Sequence, residues 1–101
     1  MSRIHLIEND RRMVRVEGTT WECGYWVVGA DTADKLVGGS IYFHAKQSSP
    51  SYFGGKILSW RIQQKGEFRG KVVFCFESSP TFKGLLAGRG WGAGSKVVLK
   101  D

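Results

Sequence analysis

Tyr42, His44 and Lys46 occupy every second position of the segment SIYFHAK, residues 40–46. Alternate residues of a β-strand point to the same face of a sheet, so this spacing predicts a phenol, an imidazole and an ammonium group side by side. Such a surface can stack on a base and contact a phosphate group. The pattern is equally typical of an ordinary sheet surface, on which Tyr42 packs beneath a loop and His44 is a polar filler.

The loop that follows, PSYFGG at residues 50–55, combines two adjacent aromatic residues with a pair of glycines. Gly54 and Gly55 permit a tight turn or a close approach of the backbone to a ligand. We expect Tyr52 to be a stacking platform at the edge of the predicted aromatic face. Phe53 is the better candidate for capping the end of the fold.

A second aromatic and basic pair lies in GLLAGRGWGAGSK, residues 84–96, where five glycines flank Arg89 and Trp91. The segment has neither the Gly-Lys-Ser/Thr of a P-loop nor the third glycine of G-x-G-x-x-G. A guanidinium and an indole in a glycine-rich loop suit phosphate contact and base stacking. The alternative is that Trp91 plugs the core.

Glu22 is the one carboxylate in a strongly aromatic setting, because Trp21 precedes it and Trp26 follows in VEGTTWECGYW, residues 16–26. A carboxylate there could accept a hydrogen bond from a base edge or take up a proton. With His44 as acid it would supply the two groups of a nuclease. It could equally be a surface glutamate at the start of a strand.

The composition favours a single small basic domain over residues 1–101. The net charge of +6 is uneven, since residues 1–37 hold five basic and six acidic residues, whereas residues 38–101 hold ten and three. This excess favours a polyanionic partner, nucleic acid first. It also fits a protein whose lysines only keep it monomeric.

Other classes of protein are disfavoured by simple counts. The apolar runs are too short to span a membrane, and the first residues lack the apolar core of a signal peptide, so we expect a cytoplasmic protein. The two histidines are far apart and there is no CxxC, so we expect neither a metal nor another cofactor. Without a secretion signal, Cys23 and Cys75 are predicted to be buried thiols.

Short β-like runs separated by Gly, Pro, Ser and Asp clusters dominate the chain. Strands are predicted at residues 13–16, 24–28, 40–46, 56–63, 71–77 and 96–100, with RIHLI (3–7) as another candidate. Alternation places Leu58, Trp60 and Ile62 on one face. A helix of one or two turns is expected at 30–38, with Asp31 as N-cap and Gly38 as its stop. The pattern predicts a mainly β (α+β) domain, a small curved or closed barrel of five to six strands with one short helix.

The order of these segments resembles the PUA-like barrels, especially the ASCH and EVE groups. The resemblance is carried by the turn Gly-Thr-Thr-Trp-Glu and the strands VGGSIYFH and GGKILSW, and it covers residues 14–76. In those groups a Gly-Lys-Thr-x-Glu-x-Arg segment lines a cleft. Thr20 and Glu22 match its Thr and Glu, whereas Thr19 replaces the Lys and Gly24 the Arg. The resemblance implies a PUA-like domain that binds RNA or DNA, and the two departures count against hydrolysis.

The function favoured by these features is a monomeric nucleic-acid-binding module, with RNA preferred over DNA as partner and with a single-stranded or modified nucleic acid as ligand. The residues expected to contact bases are Tyr42, His44, Lys46, Tyr52 and Trp91, with Glu22 reading a base edge. Lys56, Arg61 and Arg89 are expected to contact phosphates. One alternative is a protein-interaction module, accessory or inhibitory, whose exposed aromatics anchor an interface. The other is the nuclease acting through Glu22 and His44, although an enzyme is the less favoured class.

Overall fold

The computed structural model describes residues 2–8 and 12–100. Within them the chain forms seven strands, one α-helix and a short 3-10 helix, Pro80–Phe82. The other elements are β1 (Arg3–Ile7), β2 (Met13–Glu17), β3 (Thr20–Trp26), α1 (Ala30–Leu36), β4 (Ser40–His44), β5 (Phe53–Ile62), β6 (Val72–Ser78) and β7 (Ser95–Val98). The prediction of a mainly β domain with one short α-helix is confirmed. Neither of these helices has the length and apolar character needed to cross a membrane.

The strands form a single mixed sheet in the order β2-β3-β6-β5-β4-β1-β7. β1 is parallel to β4, and all other neighbours are antiparallel. β2 and β7 each pair with one neighbour among the described strands, so the sheet is open and the prediction of a closed barrel is wrong. The segment RIHLI becomes β1 between β4 and β7, which gives seven strands instead of five to six.

Alternation along the strands builds the core as expected. Ile41 and Phe43 of β4 and Phe74 and Phe76 of β6 are fully buried. β6 lies between β3 and β5, and Val73 on its other face is also buried. The rest of the buried apolar cluster comes from β1, β3, α1, β5 and the start of β6: Ile4, Leu6, Cys23, Ala33, Leu36, Ile57 and Val72.

The alternation predicted for β5 fails at one point. A bulge places both Leu58 and Ser59 opposite Cys75 of β6, so the side chains after it change faces. Ile57 is therefore fully buried while Leu58 is 43% exposed, and Ile62 at the end of the strand is 39% exposed. The prediction that Leu58 shares a face with Trp60 and Ile62 is wrong, because the extra residue puts Ile57, opposite Phe76, on the face of Trp60, opposite Phe74.

Helix α1 begins one residue earlier than its predicted N-cap. The N-cap is Gly29, without a side-chain capping bond, and Asp31 lies in the first turn, where a carboxylate favours the helix dipole. Gly38 follows the helix with a φ of 85°, a conformation that suits glycine at a helix stop. Trp60 Nε1 donates a hydrogen bond to Asp34 Oδ1 at 2.8 Å, which ties the helix to β5.

Both cysteines are free thiols. Cys23 is in the core, and burial raises the pKa of its thiol to about 12. Cys75 is only partly buried, so the prediction of two buried thiols is confirmed for Cys23 alone.

Candidate functional site

A cleft of about 330 Å³ opens where β3 begins and β6 ends. Its lining combines an aromatic ring, three hydroxyl groups and an ammonium group. The lining residues are Thr19, Phe53, Ser78, Ser79, Pro80 and Lys83. Ligand sites of this size pair apolar or aromatic walls with a few polar groups that orient the ligand.

A larger groove, of about 520 Å³, lies between the start of α1 and β7. Among the described residues, its lining includes no charged and no aromatic side chain. The residues that form it are Val27, Val28, Gly29, Thr32, Ser95, Val97 and Leu99. The smaller cleft is therefore the better candidate for recognition of a polar or charged ligand.

One wall of the cleft is held by hydrogen bonds between the first residues of β3 and the last of β6. The hydroxyl groups of Thr19 and Thr20 both donate to the Glu77 carboxylate, Thr20 at 3.1 Å. The carbonyl oxygen of Thr19 accepts from the amide of Ser78 at 2.8 Å and from its hydroxyl at 3.1 Å. These bonds fix the wall before any ligand arrives.

The floor of the cleft is Phe53. Its ring meets Trp21 edge-on at 5.3 Å and Phe76 at 5.8 Å between centroids, so core rings fix its orientation. Tyr52, the predicted platform, instead donates from its hydroxyl to the carbonyl oxygen of Glu8 at 2.7 Å. Tyr52 remains 40% exposed, and burial and Glu8 raise the pKa of its phenol. The aromatic ring that lines the cleft is therefore Phe53, the residue next to the predicted Tyr52.

The rim that carries Lys83 is anchored by Ser51. The Ser51 hydroxyl donates to the carbonyl oxygen of Phe82 at 2.6 Å, and the Ser51 carbonyl accepts from the amide of Gly84 at 2.8 Å. Ser51 itself is 4% exposed. Lys83 therefore projects from a fixed rim. No signal in the sequence marks either Ser51 or Lys83, because each depends on contacts with residues about thirty positions away in the chain.

A second polar cluster lies inside the fold, between β1 and β4. Arg3 Nε donates to His5 Nε2 at 3.1 Å, and His5 Nδ1 lies 3.0 Å from His44 Nε2. His44 Nδ1 in turn lies 2.9 Å from the carbonyl oxygen of Ser49. Because arginine can only donate, the network assigns the proton of each neutral ring to Nδ1. Each histidine donates from Nδ1 to the next group along this chain.

Aromatic rings cover the two histidines. Tyr42 stacks on His5 with 4.9 Å between centroids, and Trp91 meets His44 edge-on at 5.3 Å. Both histidines have no exposed surface. Burial, together with His44, Arg3 and Lys96, lowers the pKa of His5 to about 4. Tyr42 and His44 share a face as predicted, but as part of a packed interior cluster that includes His5.

The remaining predicted residues are spread over the molecule. Lys46 lies beyond the end of β4, in a turn where its carbonyl accepts from the Ser49 amide at 3.2 Å. Lys56 is exposed on β5 opposite Glu77, and Arg89 is exposed in the glycine-rich loop. Trp91 packs against both histidines, which matches the core-plug alternative.

Glu22 and His44 are not brought together. Glu22 Oε1 on β3 instead forms an ion pair with Arg61 Nη2 at 3.3 Å, near the far end of β5. β3 and β4 are three positions apart in the sheet, which corresponds to roughly 14 Å at the usual strand spacing. General acid–base cleavage needs both groups near one phosphate, so this structure gives the nuclease alternative no support.

Comparisons with protein-family models, with curated proteins and with solved structures find no match for this chain. The resemblance to PUA-like domains therefore stays a prediction. The features of the chain itself that bear on its function are the cleft and the charge distribution.

Proposed function

We propose that the protein is a small nucleic-acid-binding module that holds an unpaired base of single-stranded RNA in the cleft. The observation that carries the proposal is the lining of the cleft, in which the Phe53 floor and the Lys83 rim lie together. A base can stack on an aromatic ring whatever its sequence, while an ammonium group nearby contacts its phosphate. The hydroxyls of Thr19 and Ser78 already donate within the wall, so each offers acceptor lone pairs to a base edge. The Ser79 hydroxyl, which shares a hydrogen bond with Thr81, can accept or donate.

The charge of the chain supports the same ligand class. The net charge is +6, and the excess is carried by residues 38–101, which include Lys83 at the rim. Lys56 and Arg61, both exposed on β5, add basic groups along the strand that starts at the cleft. A single-strand binder combines such groups with a stacking platform. Tyr42, His44 and Trp91 then support the fold from inside without contacting the ligand.

The test is a titration of tryptophan fluorescence with a short mixed-sequence single-stranded RNA at about 50 and about 200 mM salt. Trp21 lies against Phe53 and reports on the cleft. We expect saturable quenching that weakens steeply at the higher salt. Replacement of Phe53 with leucine keeps an apolar floor but removes the ring, and should weaken binding by about 5- to 150-fold, the effect of one stacked base.

Lys83→Gln tests the rim, and Lys35→Gln on α1 removes the same charge from another exposed site. Lys83→Gln should reduce the slope of log K against log salt by about 0.7, and Lys35→Gln should leave it unchanged. Equal slopes for the two variants would contradict the assignment of Lys83. Unaltered affinity in a folded Phe53→Leu protein would exclude the cleft. Absence of RNA binding, with tight salt-resistant capture of a protein, would favour the protein-interaction alternative.

A further inference from the structure

The hairpin that joins β5 to β6 is strongly basic. Residues 61–71 hold four basic residues and one acidic residue, a net charge of +3. Lys65 and Arg69 are exposed, and Lys71 is partly buried. Within residues 2–8 and 12–100, no carboxylate lies within ion-pair distance of these three side chains. Their charge is therefore available to a ligand.

Backbone hydrogen bonds define the shape of the hairpin that carries these charges. The amide of Gln63 donates to the carbonyl of Lys71, and the amide of Gly70 donates to the carbonyl of Gln63, both at 2.9 Å. Inside the loop, the amides of Arg69 and Lys71 donate to the carbonyls of Gly66 and Phe68 at 3.2 and 3.0 Å. A turn closed by four backbone bonds presents its lysine and arginine side chains from a defined backbone.

Phe68 anchors the hairpin to the neighbouring strands. The Tyr25 ring stacks on it at 4.4 Å and 6° between planes, and the Arg12 guanidinium lies 4.6 Å from its centroid. These two groups already pack against the Phe68 ring, which is partly buried. A ring with these contacts is a poor platform for a base. The hairpin end is suited to phosphate contact and not to base stacking.

The hairpin and the cleft lie at opposite ends of β5. The strand starts at Phe53 in the cleft and ends at Ile62 beside the hairpin, ten residues later. At about 3.3 Å per residue this is roughly 30 Å. Arg61, near the hairpin end, is partly neutralised by its ion pair with Glu22, which leaves Lys65 and Arg69 as the principal cations there.

We infer that the β5–β6 hairpin is a second contact surface, for the phosphodiester backbone of the same strand whose base occupies the cleft. The inference rests on the proposed function of the cleft. It requires a ligand long enough to reach both ends of β5. At roughly 3.4 Å per stacked nucleotide the span corresponds to about nine nucleotides, so a trinucleotide reaches the cleft alone.

The experiment compares an RNA trinucleotide with a single-stranded RNA 15-mer, using NMR shifts for the trinucleotide and fluorescence for the 15-mer. The variant is Lys65→Gln with Arg69→Gln, and the matched control is Lys35→Gln with Lys100→Gln, also exposed. For the 15-mer, the hairpin variant should reduce the slope of log K against log salt by about 1.4, or 0.7 for each lost contact. Trinucleotide binding should be unchanged in both variants, and the control should bind the 15-mer like the unmodified protein.

Two results would overturn the second surface while leaving the cleft intact. One is an unchanged salt slope for the 15-mer in the hairpin variant, and the other is an equal loss in the control, which would indicate a general charge effect. A third result would overturn the second surface as well. It is weaker trinucleotide binding in the hairpin variant at an unchanged melting temperature of the protein, because the hairpin and the cleft would then not be separate surfaces. If the unmodified protein binds neither RNA, the proposed function fails and this inference fails with it.

Discussion

Replacement of Gly55 with alanine is expected to lower the free energy of unfolding by about 3 kcal/mol or more, and the melting temperature by about 12 °C or more. Gly55 lies in β5 where the backbone of β6 comes closest. A β-carbon there would overlap the carbonyl oxygen of Glu77 and would lie 2.9 Å from the Cα of Ser78. β6 is paired on both sides, so it cannot move away without breaking a ladder.

The matched control for this substitution is Gly94→Ala. A β-carbon at Gly94 would meet nothing within 4 Å, so alanine should change stability by less than about 1 kcal/mol. Urea unfolding of both variants measures the difference. A loss at Gly55 no larger than at Gly94 would show that β5 and β6 can separate at little cost. Because Ser78 lines the cleft opposite Gly55, a folded Gly55→Ala protein should also bind RNA more weakly.

At Gly54 and Gly55 the local sequence pattern predicted a close approach but not the group that makes it. A close approach at Gly54 and Gly55 was expected, but toward a ligand or in a turn. In the structure both lie inside β5, and the close groups are the backbones of β4 and β6. A glycine in a strand indicates that another group approaches the backbone closely, and the identity of that group depends on how the strands pair.

The sheet likewise combines features that local pattern predicts with features that depend on distant residues. Alternation predicted the buried faces of β4 and β6, because a period of two is a local property of the chain. The β7 end of the sheet depends on β1 pairing in parallel with β4, a contact between residues nearly forty positions apart. The bulge at Leu58 and Ser59 likewise depends on β6 and has no local signal. Pairing across the chain was therefore the part that the pattern did not predict.

None of the nine side chains predicted to contact a ligand lines the cleft. Tyr42 and His44 were correctly placed on one face, yet Trp91, far along the chain, covers His44. His5 was missed, although alternation with Ile4 and Leu6 in RIHLI could have placed it on that same face. An alternating pattern shows which side chains share a face and does not show whether a distant loop covers that face.

The second large effect is a dependence of stability on pH that originates at His5. Its pKa is lowered from 6.5 to about 4 in the folded protein. Between these values the unfolded chain binds more protons than the folded one, so stability falls as the pH falls through this window. At 1.36 kcal/mol per pKa unit, His5 should account for about 3 kcal/mol of lost stability between pH 7 and pH 4. Above pH 7 its contribution is constant.

The groups around His5 explain the direction of this effect. Burial favours the neutral ring, and the neighbouring His44, Arg3 and Lys96 disfavour a further positive charge. The hydrogen bonds act in the same sense, because a proton added to His5 Nε2 would face the donating Nε of Arg3 at 3.1 Å. Charging His5 therefore breaks the chain from Arg3 to Ser49 and loosens the packing of Trp91 on both rings.

His5→Gln is the variant that isolates this effect. Glutamine can accept from Arg3 and donate to His44, as the neutral imidazole does, but it does not titrate. Urea unfolding of both proteins at pH 7 and pH 4.5 should show a drop in the unmodified protein that exceeds the drop in the variant by about 2 kcal/mol, the part of the His5 effect reached at that pH. Carboxylates contribute equally to both proteins and cancel in this comparison. If the two drops are equal, His5 is not the group whose charging weakens the fold, and the neutral histidine chain between β1 and β4 loses its energetic significance.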